Sequence, residues 1–225
     1  MSPRLDRSYD LDVAAEIERA ASDPRFVQVL LNIRTRDPLG KRKYWRLYEA
    51  ACEHGLPVAI HVGGMGGNMI TASGLPSYYI EEHAGFAQAY QAQVASLVFE
   101  GVFEEFPRLR IVLQEGGFAW IPALGWRMDR AWELLHEEVP HLSRPPSQYL
   151  RRHFWYTTQP IEEPNREADL AWVLDQMDLG SHLLFSTDYP HWDFDAPGEA
   201  LPASLGEGPQ RRVYSQNARA LYGLS

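Results

Sequence analysis

Five short apolar runs punctuate the chain, and glycine or proline cuts each of them off within a few residues. They lie at residues 26–31, 56–64, 109–115, 154–159 and 183–188. Valine, isoleucine, leucine and aromatic residues fill them, which suits strands buried in a sheet. Stretches of helical spacing alternate with them, at residues 11–22, 44–54, 86–105, 118–138, 166–177 and 210–222. Strands that alternate with helices five times predict an α/β fold with a parallel sheet and right-handed crossovers. Pro140, Pro145 and Pro146 predict a rigid connection between the fourth helical stretch and the fourth strand.

Four of the five runs end on a polar side chain: His61, Glu115, Gln159 and Asp188. Parallel strands aim their C-terminal ends at one face of the sheet, so these groups are expected to converge there. Each has a plainer reading. His61 could be a hydrogen-bonded core histidine, Glu115 a carboxylate at a helix N-terminus, and Asp188 a turn cap with His191 on the surface. Taken together they point to a site, because buried imidazoles and carboxylates cost several kcal/mol unless paired or metal-bound. A histidine and an aspartate from separate strands suit zinc, manganese or a similar divalent ion.

Other motifs fall away. The glycine-rich loop from Gly63 to Asn68 lacks the Lys-Ser/Thr ending of a phosphate cradle. His136 and His141 are separated by Pro140, which breaks any zincin helix. There is no G-x-S-x-G elbow, and Cys52 sits mid-helix without a neighbouring base.

The 225 residues suffice for one core, so residues 1–225 read as a single domain. The net charge of −9 argues against nucleic acid and anionic membrane as main partners. One cysteine permits no internal disulfide, which fits a reducing compartment. The first residues carry charge and no apolar h-region, and no apolar run approaches the roughly 20 residues of a membrane span. A cytoplasmic protein is expected.

Three stretches resemble the amidohydrolase family 2, the amidohydrolase-related group that includes the aminocarboxymuconate-semialdehyde decarboxylase. They are Leu56-Pro-Val-Ala-Ile-His61-Val-Gly-Gly, the segment from Gly101 to Gly117 that ends Leu-Gln-Glu115-Gly-Gly, and Phe185-Ser-Thr-Asp188-Tyr-Pro-His191. The resemblance runs from about residue 10 to the C-terminus. It implies a distorted (β/α)8 TIM-type barrel whose members are metal-dependent decarboxylases, hydratases and hydrolases of small carboxylated compounds. By the resemblance, His61 matches the metal-binding histidine of the fifth strand and Asp188 the metal-binding aspartate of the eighth. Two departures stand out. The H-x-H or E-x-H pair of the first strand has no counterpart, so the first barrel strands are expected to be missing. Glu115 stands where the decarboxylases place a catalytic histidine.

These readings combine into one expectation. The chain is a metal-dependent hydrolase or carbon–carbon lyase acting on a small carboxylated, aromatic-derived compound. His61 and Asp188 hold a divalent metal, zinc or manganese. Glu115 shuttles the proton, and His191 orients Asp188 or the substrate. Tyr78, Tyr79, Phe118 and Trp120 are candidates for the pocket wall. With two ligands instead of four or five, metal is expected to be weak or absent in this chain. The alternative is a catalytically inactive partial barrel that serves as a binding or scaffold subunit. Five strands leave open edges, so the first strand is expected to be covered by the N-terminal helix or by a second copy in a homo-oligomer.

Overall fold

The computed structural model describes residues 4–63, 74–198 and 200–224. Five strands form one sheet: β1 (Val29–Asn32), β2 (Val58–His61), β3 (Ile111–Leu113), β4 (Phe154–Thr157) and β5 (Leu183–Leu184). They are ordered β1-β2-β3-β4-β5, and every neighbouring pair is parallel. The expected α/β architecture is therefore present, with shorter strands than the apolar runs suggest. Glu115 and Gln159 lie in the loops just past β3 and β4, and Asp188 lies four residues past β5.

Strand register divides the side chains between two faces. Leu30, Ala59, Val112 and Trp155 stand side by side in the ladder. On the opposite face Val58, Ile60, Ile111, Leu113, Phe154, Tyr156 and Leu183 are all 0–1% exposed and pack into the main core. Each large aliphatic side chain so buried contributes roughly 1.5–3 kcal/mol. The core is closed by α1 (Arg4–Ala21), α2 (Trp45–Glu53), α4 (Phe86–Phe99), α5 (Val102–Glu105), α6 (Ile121–Leu135), α7 (Pro146–His153) and α8 (Glu167–Asp175). A short α3 (Tyr79–Ala84) precedes α4. The chain ends in α9 (Glu207–Arg211) and α10 (Asn217–Tyr222).

α10 covers the other face of the sheet. Leu221 packs with Ala59, Val112 and Leu184, with Trp155 and Tyr222 beside them. Asn217 fixes the helix, since its Nδ2 donates to the carbonyls of Leu183 and Gly180 at 2.8 and 2.9 Å. Arg110 adds a donor to the Leu221 carbonyl at 2.6 Å.

Two expectations need correction, and the edge of β1 bears on another. The helix expected over 86–105 is two helices, because Gly101 turns the chain at φ 78°. The stretch read as a rigid proline connection contains α7. Pro146 opens that helix, where a missing N–H costs nothing, and Asp129 Oδ1 accepts from the Ser147 N–H at 2.7 Å. At that edge, α1 packs against α2, and Leu30 on β1 is 59% exposed. The glycine-rich stretch of residues 64–68 lies outside the described residues. No helix among the described residues is long and apolar enough to cross a membrane.

Candidate active site

His61 is the last residue of β2. Its Nδ1 lies 2.6 Å from the Val62 carbonyl, and its Nε2 lies 2.6 Å from Glu115 Oε1. Both neighbours are oxygens, and these contacts favour the ring that carries a proton on each nitrogen. The hydrogen bond to Glu115 accordingly raises the His61 pKa above its usual range, against partial burial.

Glu115 is held from two directions. Its backbone N–H donates to Thr157 Oγ1 at 3.1 Å, and its carboxylate meets His61. Burial works against its charge. The hydrogen bond and positive charge of His61 outweigh that and keep the carboxyl below the usual carboxylate range.

Asp188 lies within hydrogen-bonding reach of Glu115, while its Oδ2 is 2.8 Å from His191 Nδ1. Its pKa moves the other way. Burial and the negative charge of Glu115 push it up, and the pull of His191 does not compensate. The site thus holds two adjacent carboxyl groups whose proton affinities are driven apart, with Asp188 the better proton holder of the two.

The sequence after Glu115 explains how the loop closes. A Cβ on Gly116 would stand 2.8 Å from the Tyr90 ring. Gly117 has φ +63°, and a Cβ there would lie 2.5 Å from Glu162 Oε1. Glu162 in turn accepts from the N–H groups of Phe118 and Ala119, each at 2.9 Å. Burial raises the Glu162 pKa, partly offset by those two donors. Only a Gly-Gly pair lets the chain dive between Tyr90 and Glu162 directly after Glu115.

The groups open into a small cleft of about 60 Å³. Glu115, Asp188, His191, His83 and Gln159 give it polar lining, and Val62, Tyr79, Phe86 and Pro160 the apolar remainder. α3 is tied over it at two points. Arg34 pairs with Glu82, and His83 Nε2 lies 3.1 Å from Asp193 Oδ2.

His61, Glu115, Asp188 and His191 are therefore brought together as the strand ends predicted. Of the four aromatic candidates for the wall, Tyr79 lines the cleft. Tyr78 caps α3 and is 71% exposed, outside it. Phe118 is wholly buried in the core, and Trp120 donates from Nε1 to the Gly116 carbonyl at 2.8 Å while packing against that core. The reversal at Gly116-Gly117 sends both rings into the helix layer instead of the cleft. His83 and Phe86 were missed as lining residues. Their signal was the spacing of residues 79, 83 and 86, which puts three rings on one helical face.

A catalytic metal centre needs three protein ligands and an open position. Among the described residues no three His, Cys, Asp or Glu side chains are grouped to hold an ion. His61 Nε2, the expected donor, is engaged by Glu115. These residues as arranged do not by themselves fit a divalent metal.

The chain has relatives among known proteins. Gamma-resorcylate decarboxylase from Rhodococcus jostii is 32% identical over 143 residues, 62% of this chain and 41% of that protein. The Polaromonas gamma-resorcylate decarboxylase is 25% identical over 94% of this chain and 66% of its own length. The structure of 5-carboxyvanillate decarboxylase from Sphingomonas paucimobilis superposes with a TM-score of 0.71 at 24% identity, covering 94% of this chain and 63% of that one. A dihydroxybenzoic acid decarboxylase from Polaromonas, with bound manganese and 2-nitroresorcinol, gives 0.69 at 23% identity over 94% and 65%. These solved structures share this chain's parallel α/β fold and are amidohydrolase-type TIM barrels, and the chain spans less than two thirds of the length of the first relatives it matches. The amidohydrolase family itself matches residues 1–224, and the chain belongs to that family.

Proposed function

We propose that the chain carries the acid–base machinery of a non-oxidative decarboxylase for hydroxylated aromatic carboxylic acids. The observation that carries the reading is the meeting of the Glu115 and Asp188 carboxyl groups in one cleft, with His61 Nε2 2.6 Å from Glu115 and His191 Nδ1 2.8 Å from Asp188. The relatives named gamma-resorcylate decarboxylase supply the substrate class.

A ring hydroxyl pushes electron density onto the ring carbon that bears the carboxylate. Asp188 delivers its proton to that carbon. The carbon–carboxylate bond then breaks, its electron pair returns to the ring, and carbon dioxide leaves. Asp188 is left as an anion against Glu115, and the repulsion between two adjacent carboxylates draws a proton back from water. His61 keeps Glu115 ionised throughout, which keeps Asp188 basic enough to hold the proton between turnovers. His191 holds Asp188 Oδ2 in place. Net, one carboxylate and one proton become one arene hydrogen and one carbon dioxide. A divalent ion such as the manganese of the Polaromonas structure would meet His61 and Asp188 here, and would need donors beyond those the described residues bring together.

The test is carbon dioxide release from 2,6-dihydroxybenzoate and 5-carboxyvanillate, with Asp188→Asn as the control. Loss of a positioned general acid is expected to cost about 10²–10⁴-fold in kcat. If wild type releases no more than Asp188→Asn from either acid, the reading fails and the binding-subunit alternative takes its place.

A further inference from the structure

Gln159 follows β4 by two residues and is 1% exposed, yet it lines the cleft with Glu115, Asp188 and His191. Its Nε2 donates to the Asp193 carbonyl at 2.9 Å. Its Oε1 is buried, with no hydrogen-bond partner among the described residues. The orientation of the amide follows from chemistry. A backbone carbonyl only accepts, so the NH2 group must face Asp193 and the oxygen must face away from it.

A buried carbonyl without a donor is rare and costly in a folded protein. Three other side-chain atoms share that condition among the described residues: Trp132 Nε1, Tyr156 OH and Asp195 Oδ2. None of their residues lines this cleft. The amide is also held in place. Its backbone N–H donates to Ser186 Oγ at 3.3 Å, and Asp193, its partner, is tied to His83 on the α3 side. An acceptor this well positioned, beside the reactive carboxyls, is built to meet a donor that arrives with the ligand.

We infer that Gln159 is a specificity-determining residue whose Oε1 accepts a hydrogen bond from a ring hydroxyl of the substrate. The inference rests on the decarboxylase reading for its substrate class and adds how the hydroxyl is recognised. A phenol satisfies the buried oxygen. Its methyl ether cannot donate and leaves the oxygen unpaired, which is the arrangement that gives strong discrimination.

The experiment compares 2,6-dihydroxybenzoate with 2,6-dimethoxybenzoate. Binding is read by calorimetry and turnover by carbon dioxide release, for wild type, Gln159→Met and Gln159→Asn. Wild type is expected to bind the hydroxylated acid about 30-fold or more tightly, by the logic of a site built around a hydrogen bond. In Gln159→Met, of similar volume without the acceptor, that ratio should collapse to within about threefold. Gln159→Asn, whose amide is one methylene too short, should do the same and decides the matter if the methionine variant does not fold. The inference is overturned if wild type shows no preference, if it binds neither acid, or if a folded variant keeps the full ratio. The two readings fail separately. Hydroxyl-selective binding without carbon dioxide release sinks the decarboxylase and leaves Gln159 as a recognition residue. Equal release from both acids does the reverse.

Discussion

Glu115 and Asp188 share an unusual backbone: both lie in the left-handed region, at φ 59° and 56°, and their carboxyl groups meet past the ends of β3 and β5. A left-handed non-glycine residue costs about 1–3 kcal/mol, and such residues cluster at functional sites. Here the conformation accompanies two carboxyl groups packed together in one cleft. That proximity is what separates their proton affinities, and the first prediction comes from it.

Glu115→Gln keeps the size of the side chain and removes the charge that raises the Asp188 pKa. Asp188 should move down toward its ordinary value of 3.8, with burial still holding it above that value. Activity that requires protonated Asp188 is lost as pH rises through its raised pKa, so the alkaline limb of kcat/KM should move to lower pH in the variant. Near neutral pH the rate should fall about 10²-fold, in line with loss of acid catalysis. A pH–rate profile checks this. An unmoved alkaline limb would refute the coupling.

The His61–Glu115 pair also makes stability depend on pH. The His61 pKa is raised above 6.5, so its contribution is complete below 6.5 and is lost as pH rises through the raised value. The Glu115 pKa is lowered below 4.5, so its contribution is present above 4.5 and is lost as pH falls through the lowered value. The Tm gap between wild type and His61→Gln should therefore be widest between pH 4.5 and 6.5 and narrow on both sides. A gap that widens as pH rises above the raised His61 value would contradict the His61–Glu115 pairing.

Gly117→Ala should destabilise the fold by about 2 kcal/mol through its positive φ. The added methyl group would also press on Glu162 Oε1, the acceptor for the N–H groups of Phe118 and Ala119. Because Glu115 lies two residues away, the variant should lose activity under conditions where it is still folded. Denaturant titration gives the first quantity and a steady-state assay the second. A change under about 0.5 kcal/mol would show that the loop tolerates the side chain.

Metal content is the fourth test. His61 and Asp188 fall short of the three protein ligands of a catalytic site. The chain purified without added metal, then dialysed against chelator, should hold well under one equivalent of zinc or manganese by mass spectrometry. One tightly held equivalent would show that Glu115 leaves His61 to coordinate. In that event Glu115→Gln should release the ion and His191→Ala should not.

The edge at β1 gives the fifth. Leu30 is 59% exposed and Phe26 51% exposed beside that strand. An apolar sheet edge favours pairing with another strand. Light scattering should find the wild type self-associated, with Leu30→Lys shifted toward monomer. A stable wild-type monomer at high concentration would rule this out.

Local chemistry settles a large part of this protein from its sequence. Runs such as Leu109–Leu113 are apolar and bounded by proline and glycine, so their strand character follows from neighbours within six or seven positions. The order of strands and helices then places His61, Glu115, Gln159 and Asp188 at the same end of a parallel sheet, because parallel strands share one direction. Other features needed the third dimension. Phe118 and Trp120 follow Glu115 directly, yet they turn into the core, because the loop is pinned by Tyr90 and Glu162 from distant parts of the chain. The His83–Asp193 contact and the orphaned Gln159 oxygen join segments that no periodicity connects. The difference between Glu115 and Asp188 is of the same kind. Both are ordinary carboxylates in the sequence, and only their separation, burial and neighbouring charges set their proton affinities apart, since electrostatic energy depends on distance and dielectric and not on position along the chain.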